Sequence, residues 1–129
     1  MKLFAHTSEM AAKGDPEACF NDPNPVACVK SLEDDKISWV PDATPQTLLN
    51  LLAFEPKAFI HRIAPTPFLL LIADTDLTAI TSEQLATYER AREPKRLHIL
   101  SHAGHFDPYF GDHFKANMEA QLKFLKEFV

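Results

Sequence analysis

Glycine is scarce in this sequence: Gly14, Gly104 and Gly111 are the only three in 129 residues. Motifs that depend on clustered glycines are therefore missing. There is no G-x-G-x-x-G and no glycine-rich phosphate loop, so no nucleotide cofactor is expected. There is also no G-x-S-x-G, the sharp strand-to-helix turn that presents a nucleophilic serine. The serines before residue 76 are Ser8, Ser31 and Ser38, and none is flanked by glycine. Cysteine is limited to Cys19 and Cys28, too few for a disulfide scaffold, and the two are read as reduced thiols. Long apolar runs are absent as well. The longest, residues 68–73 (FLLLIA), is far short of the roughly 20 residues of a membrane-spanning helix. The opening MKLFAHTSEMAAKGDPEA has no apolar stretch of signal-peptide length. These absences predict a soluble, cytoplasmic protein with no membrane partner. Basic charge is not in excess either. Thirteen Lys and Arg against eighteen Asp and Glu give a formal charge of −5, which argues against a nucleic-acid partner.

What is present favours one globular unit: 46% of the residues are hydrophobic and 24% charged. Residues 1–43 differ in character from the end of the chain. A short helix is expected within residues 1–13, and the stretch Gly14 to Pro25, with three of the ten prolines and Asn21, Asp22 and Asn24, reads as loop. Trp39 reads as a packing residue, and the acidic run Glu33, Asp34 and Asp35 as solvated surface. From residue 44 the signals sharpen. Thr44 suits an N-cap and Pro45 a first helical position. Leu48, Leu49, Leu51 and Leu52 follow and are expected in the core, and Pro56 stops the helix near Phe54. Phe68 to Ala73 is apolar without alternation, the pattern of a strand buried on both faces. Residues 81–92 predict a helix, with Thr81 and Gln84 placed as a capping box. Arg96 to Leu100 predicts a second strand. Asp112 to Val129 predicts a final helix whose stripe Phe114, Met118, Leu122, Leu125 and Phe128 should face the core.

The order strand, helix, strand, helix is a βαβα unit, which implies parallel strands and an α/β architecture. The expected organisation is a loop-rich, partly helical segment over residues 1–43 and the α/β part over residues 44–129. In such sheets the functional loops follow the strand carboxyl ends. Here they are Asp74–Ile80 and His102–Gly111, which hold the densest collection of acids and histidines in the chain. Neighbouring parallel strands lie about 5 Å apart, so Asp76 after the first strand can meet His105 after the second. A carboxylate on one ring nitrogen fixes the imidazole tautomer and leaves the other nitrogen as a base for a nucleophile.

ADTDLT at 73–78, YERAREPKRLHIL at 88–100 and GHFDPY at 104–109, with FEPKAFIHRIAPTPFLLLIAD upstream, together resemble the C-terminal portion of an α/β-hydrolase. The likeness is to a fungal branch related to dienelactone hydrolases and Xaa-Pro peptidases that includes polyketide-processing hydrolases and transferases. It covers about residues 45–129, and its weight lies in the order and spacing of the motifs. The sequence departs from that pattern where a proline after Leu77–Thr78 is missing, and where His102 and Ala103 replace a small or glycine-rich turn. The resemblance implies a partial α/β-hydrolase fold, with residues 1–43 as a cap or linker remnant. It implies that Asp76 is the triad acid and His105 the triad histidine, with Asp74 as a rival acid and Phe106–Tyr109 shaping the loop. It also implies a small-molecule acyl substrate, an ester, thioester or lactone, once a nucleophile-bearing half completes the site, and no cofactor. Without that nucleophile, negligible turnover is expected from this chain alone.

Two other functions are expected as alternatives. A two-stranded sheet buries little surface and leaves an apolar strand edge, which invites self-association or a partner chain and predicts a non-catalytic interaction module. His102, His105, Asp107 and His113 supply nitrogen and oxygen donors within twelve residues, which would suit a metal.

Overall fold

The computed structural model describes residues 1–21 and 25–128; Asp22, Pro23 and Asn24 of the expected loop and Val129 of the last helix lie outside the described residues. The chain divides into two compact units, Met1–Phe54 and Glu55–Val129, so the helix that begins at Pro45 belongs to the first unit.

In the first unit, helix α1 is Ser8–Lys13, α2 is Pro25–Asp34 and α3 is Pro45–Ala53. Thr7 caps α1 by accepting the Met10 amide, and Glu9 and Lys13 pair one turn apart. Helix α2 follows the stretch read as loop, in a segment for which no helix was expected; its buried residues are Pro25 and Val29. The first residues run extended beside the chain on either side. Leu3 donates to the Pro41 carbonyl at 2.8 Å, Cys19 to Lys2 and Phe20 to Leu3. The Phe4 and Phe20 rings stack at 5.1 Å, and Trp39 packs on Phe4 at 6.5 Å, the packing role expected of it. Both cysteines are free thiols.

Helix α3 starts as its sequence dictates, with the Thr44 hydroxyl accepting the Thr47 amide and Pro45 at its first position. Its leucines are a correction: Leu49, Leu51 and Leu52 are exposed, Leu52 to 71%, rather than core. The four leucines at 48, 49, 51 and 52 spread over an arc of about 160°, wider than the stripe of roughly 100° with which a surface helix faces its core.

The second unit opens with a 3-10 turn, Pro56–Arg62, and then alternates strand and helix: β1 Phe68–Ala73, α4 Thr81–Arg90, β2 Lys95–Leu100, a 3-10 turn Asp107–Tyr109, and α5 Gly111–Phe128. The strands pair in parallel, from Phe68 with Lys95 to Ala73 with Leu100. The α/β class and the βαβα order are those the sequence implied. Burial is less complete than a strand covered on both faces would show. In β1 only Ile72 and Ala73 are buried, and the core cluster is Ala73, Leu100 and Ala103 with Leu71 and Ala116 against it.

The orientation of α5 is a second correction. Of the expected stripe, Phe114, Leu122 and Leu125 are 44–50% exposed. The helix instead turns Ala116 to the core cluster and buries Asn117, whose side chain donates to the Pro108 carbonyl at 3.0 Å. Small residues at 116 and 120 let the helix approach the sheet closely, and that approach competes with the larger stripe beside it. Among the described residues, no helix is long and apolar enough to cross a membrane.

Candidate functional site

The carboxyl ends of β1 and β2 are tied together by their own loops. Past the last ladder pair, the Asp74 amide donates to Leu100 and the Thr75 amide to the Ala103 carbonyl, which also takes the Thr75 hydroxyl at 2.8 Å. The Asp74 carboxylate reaches across to the second loop and accepts the amides of His102 at 2.9 Å and Ala103 at 3.0 Å. Those two N–H donors hold its carboxyl below the usual carboxylate range. Asp74, the rival acid, is thus committed to the loop itself.

The turn it holds is tight. His102 sits at φ 56°, a left-handed conformation that costs a residue with a Cβ about 1–2 kcal/mol. This explains why a glycine-rich turn suits the position. Ala103 behind it has no exposed surface. Gly104 donates to the Asp107 carboxylate at 2.7 Å, which starts the 3-10 turn, and the His105 and Phe106 rings meet edge to face at 4.8 Å. Phe106 to Tyr109 therefore do shape this loop.

Asp76 is placed differently. It is 7% exposed, although it lies in a loop. Its Oδ1 accepts the amides of Thr78 at 2.9 Å and Ala79 at 2.7 Å. Its Oδ2 accepts Gln84 Nε2 at 3.3 Å and faces His105 Nδ1 at 2.9 Å. An ionised carboxylate only accepts, so Nδ1 carries the hydrogen and Nε2 keeps its lone pair. The imidazole is 31% exposed, against 6% for the Asp76 side chain, so an inner acid meets an outer, accessible ring. A groove of about 520 Å³ begins at this pair and runs along Leu69 and Leu71 of β1 to Phe124 and Leu125 of α5.

Thr81 and Gln84 do not form the expected capping box. Helix α4 starts after Ile80 with no side-chain cap. The Thr81 hydroxyl donates to the Ala73 carbonyl and accepts the Asp76 amide, and Gln84 contacts both the Asp76 carboxylate and the Ala79 carbonyl. The buried Asp76 outcompetes the helix end for these groups. The metal donors do not converge. Among the described residues, no group of three or more His, Cys, Asp or Glu side chains is placed to hold an ion. His105 faces Asp76, and Asp107 is engaged by Gly104.

No family model matches the chain. Similar segments occur in longer fungal proteins. A polyketide transferase of Gibberella fujikuroi is 40% identical over 83 residues, 64% of this chain and 26% of that protein. The thiohydrolase aneE of Aspergillus aculeatus is 32% identical over 87 residues, 67% of this chain and 27% of that protein. The crystal structure of the α/β-hydrolase GrgF from Penicillium superposes on 99% of this chain and 41% of its own, with a TM-score of 0.74 and 26% identity. This chain has a partial α/β-hydrolase fold and is similar to part of these fungal polyketide hydrolase-like proteins. The matched part spans about a quarter of the length of these curated relatives. The superposition reaches beyond the sequence match to nearly all of the partial α/β-hydrolase.

Proposed function

We propose that this chain supplies the acid–histidine half of an acyl hydrolase or acyl transferase. The contact between His105 Nδ1 and the buried Asp76 carboxylate, at 2.9 Å where both strands end, carries the reading. In this reading Asp76 orients the ring and stabilises its protonated form. His105 Nε2 takes the proton from a nucleophile as it attacks an ester, thioester or lactone carbonyl, then returns it to the leaving group. The names of the relatives, polyketide transferase and thiohydrolase, favour an acyl thioester among these. The sequence contains no G-x-S-x-G, so the nucleophile comes from elsewhere and this chain alone turns over negligibly.

The test is a chimera in which residues 55–129 replace the matching segment of the Gibberella polyketide transferase, assayed on a model thioester. The chimera is expected to be active and to lose at least about 10³-fold in rate with His105→Ala, the scale on which triad members act. Full activity of the His105→Ala chimera refutes the reading. Appreciable hydrolysis by the chain alone, abolished by His105→Ala, refutes the inactivity.

One observation supports a second reading. Among the described residues β1 pairs only with β2, and the groove follows its apolar side chains. A free edge of this kind is a template for strand addition. A non-catalytic interaction module would associate through it, and a Leu69→Lys or Leu71→Lys variant that turns a sedimenting dimer or complex into a monomer would support that reading.

A further inference from the structure

Gln84 stands out because its place on α4 suggests a helix cap and its side chain goes elsewhere. The amide nitrogen has two hydrogens. One reaches Asp76 Oδ2 at 3.3 Å and the other the Ala79 carbonyl, so the amide is itself held on two sides. The Asp76 carboxylate is anchored through Oδ1 by the amides of Thr78 and Ala79. Those bonds hold the carboxylate through one oxygen. The other, Oδ2, faces His105.

We propose that Gln84 is a positioning residue for the acid–histidine pair: it occupies one lone-pair direction of Asp76 Oδ2 and so aims the other at His105 Nδ1. An oxygen of a carboxylate offers about two acceptor directions. With Gln84 in one of them, the remaining direction points to the ring, and rotation of the carboxylate would break contacts at both oxygens together. Gln84 lines the groove beside the pair, and its amide bonds go to Asp76 and Ala79; it acts on His105 through Asp76. The inference rests on the acid–histidine reading, and its test keeps the two apart.

The readout is the tautomer of His105 in the intact chain, taken from its ring ¹⁵N shifts at a pH where the ring is neutral. The wild type is expected to be mainly the Nδ1–H form. In Gln84→Ala, and equally in Gln84→Met, which keeps the length and removes the donor, the ratio of Nδ1–H to Nε2–H should fall by about 2-fold, the scale of one long hydrogen bond. A merely structural role for Gln84 would lower the melting temperature and leave this ratio unmoved. Asp76→Asn separates the failures. If Asp76→Asn shifts the tautomer and both Gln84 variants leave it unchanged or raise it, the positioning role is overturned while the pair stands. If Asp76→Asn also leaves it unchanged, the pair is overturned, and the role of Gln84 with it.

Discussion

Replacing Asp76 by Ala should destabilise the second unit by about 3 kcal/mol, and replacing it by Asn by only about half as much. The figure follows from the bonds at each oxygen. Oδ1 accepts the Thr78 and Ala79 amides, and Ala79 is exposed, so water recovers part of each loss; about 0.5–1 kcal/mol apiece is reasonable. At Oδ2 the bond to His105 is charge-assisted, worth about 1.5 kcal/mol at a ring one-third open to water, and the longer bond to Gln84 adds a few tenths. An asparagine keeps a carbonyl oxygen for Thr78 and Ala79 and loses the Oδ2 contacts. The assay is native-state amide exchange at Ile72, buried in β1, whose amide alternation puts on the β2 side with those of Phe68 and Asp74. The Ala variant should exchange about 10²-fold faster and the Asn variant about 10-fold, at a factor of ten per 1.4 kcal/mol. Equal acceleration by Ala and Asn, or less than about threefold by Ala, would refute the assignment of Oδ1 to the loop amides.

Three further outcomes are expected. Ile72 is 1% exposed, and Ile72→Ala should cost about 2–5 kcal/mol, read as a fall in the exchange protection of β1 and β2 with no change in the first unit. Asn117→Leu strands the Pro108 carbonyl, which loses its 3.0 Å donor; a loss of about 1–3 kcal/mol should appear with faster exchange at the Tyr109 and Phe110 amides, whereas an unchanged Tm would mean water replaces the side chain. The Asp74 carboxyl lies below its ordinary value because the His102 and Ala103 amides donate to it. The tether is therefore fully present above the ordinary carboxylate value and disappears as pH falls through the lower folded value. The His102 and Ala103 amide shifts should titrate together in that acidic window, and a midpoint at or above the ordinary value would contradict the tether.

The sequence carried the elements of the second unit because their signals are local. An apolar run after Pro65 and Pro67 makes β1, Pro94 separates α4 from β2, and the strand order then requires a parallel pair. It also carried the meeting of Asp76 with His105, because adjacent strand ends leave few other partners within reach. What it did not carry depends on competition between neighbours. Helix α2 has only two buried residues, too few to imprint a period. Helix α5 has large apolar side chains beside small ones, and close packing against Ala73 and Ala103 favoured the small face. The cap expected from Thr81 and Gln84 was lost to a buried carboxylate two turns of chain away, and nothing in a capping pattern reports such a competitor.

Asp74 and Asp76 show how two acids one residue apart acquire separate work. Strand alternation would put residues 74 and 76 on one face; the turn at Asp74 and Thr75 ends that alternation and lets the two side chains part. Asp74 meets the amides of the second loop and joins the loops. Asp76 turns inward and is enclosed by the first loop's own amides before it meets His105. A carboxylate bound to two backbone amides and clear of the imidazole can only build the turn. One whose second oxygen meets the imidazole can set its tautomer. The pair is thus assembled by residues 74–84 and 102–105 alone, on a frame of two strands. Its geometry requires no contact from a nucleophile. That local self-sufficiency is why an acid–histidine pair can be well formed in a chain whose sequence lacks the serine turn, and why the chimera, rather than the isolated chain, is where its chemistry should appear.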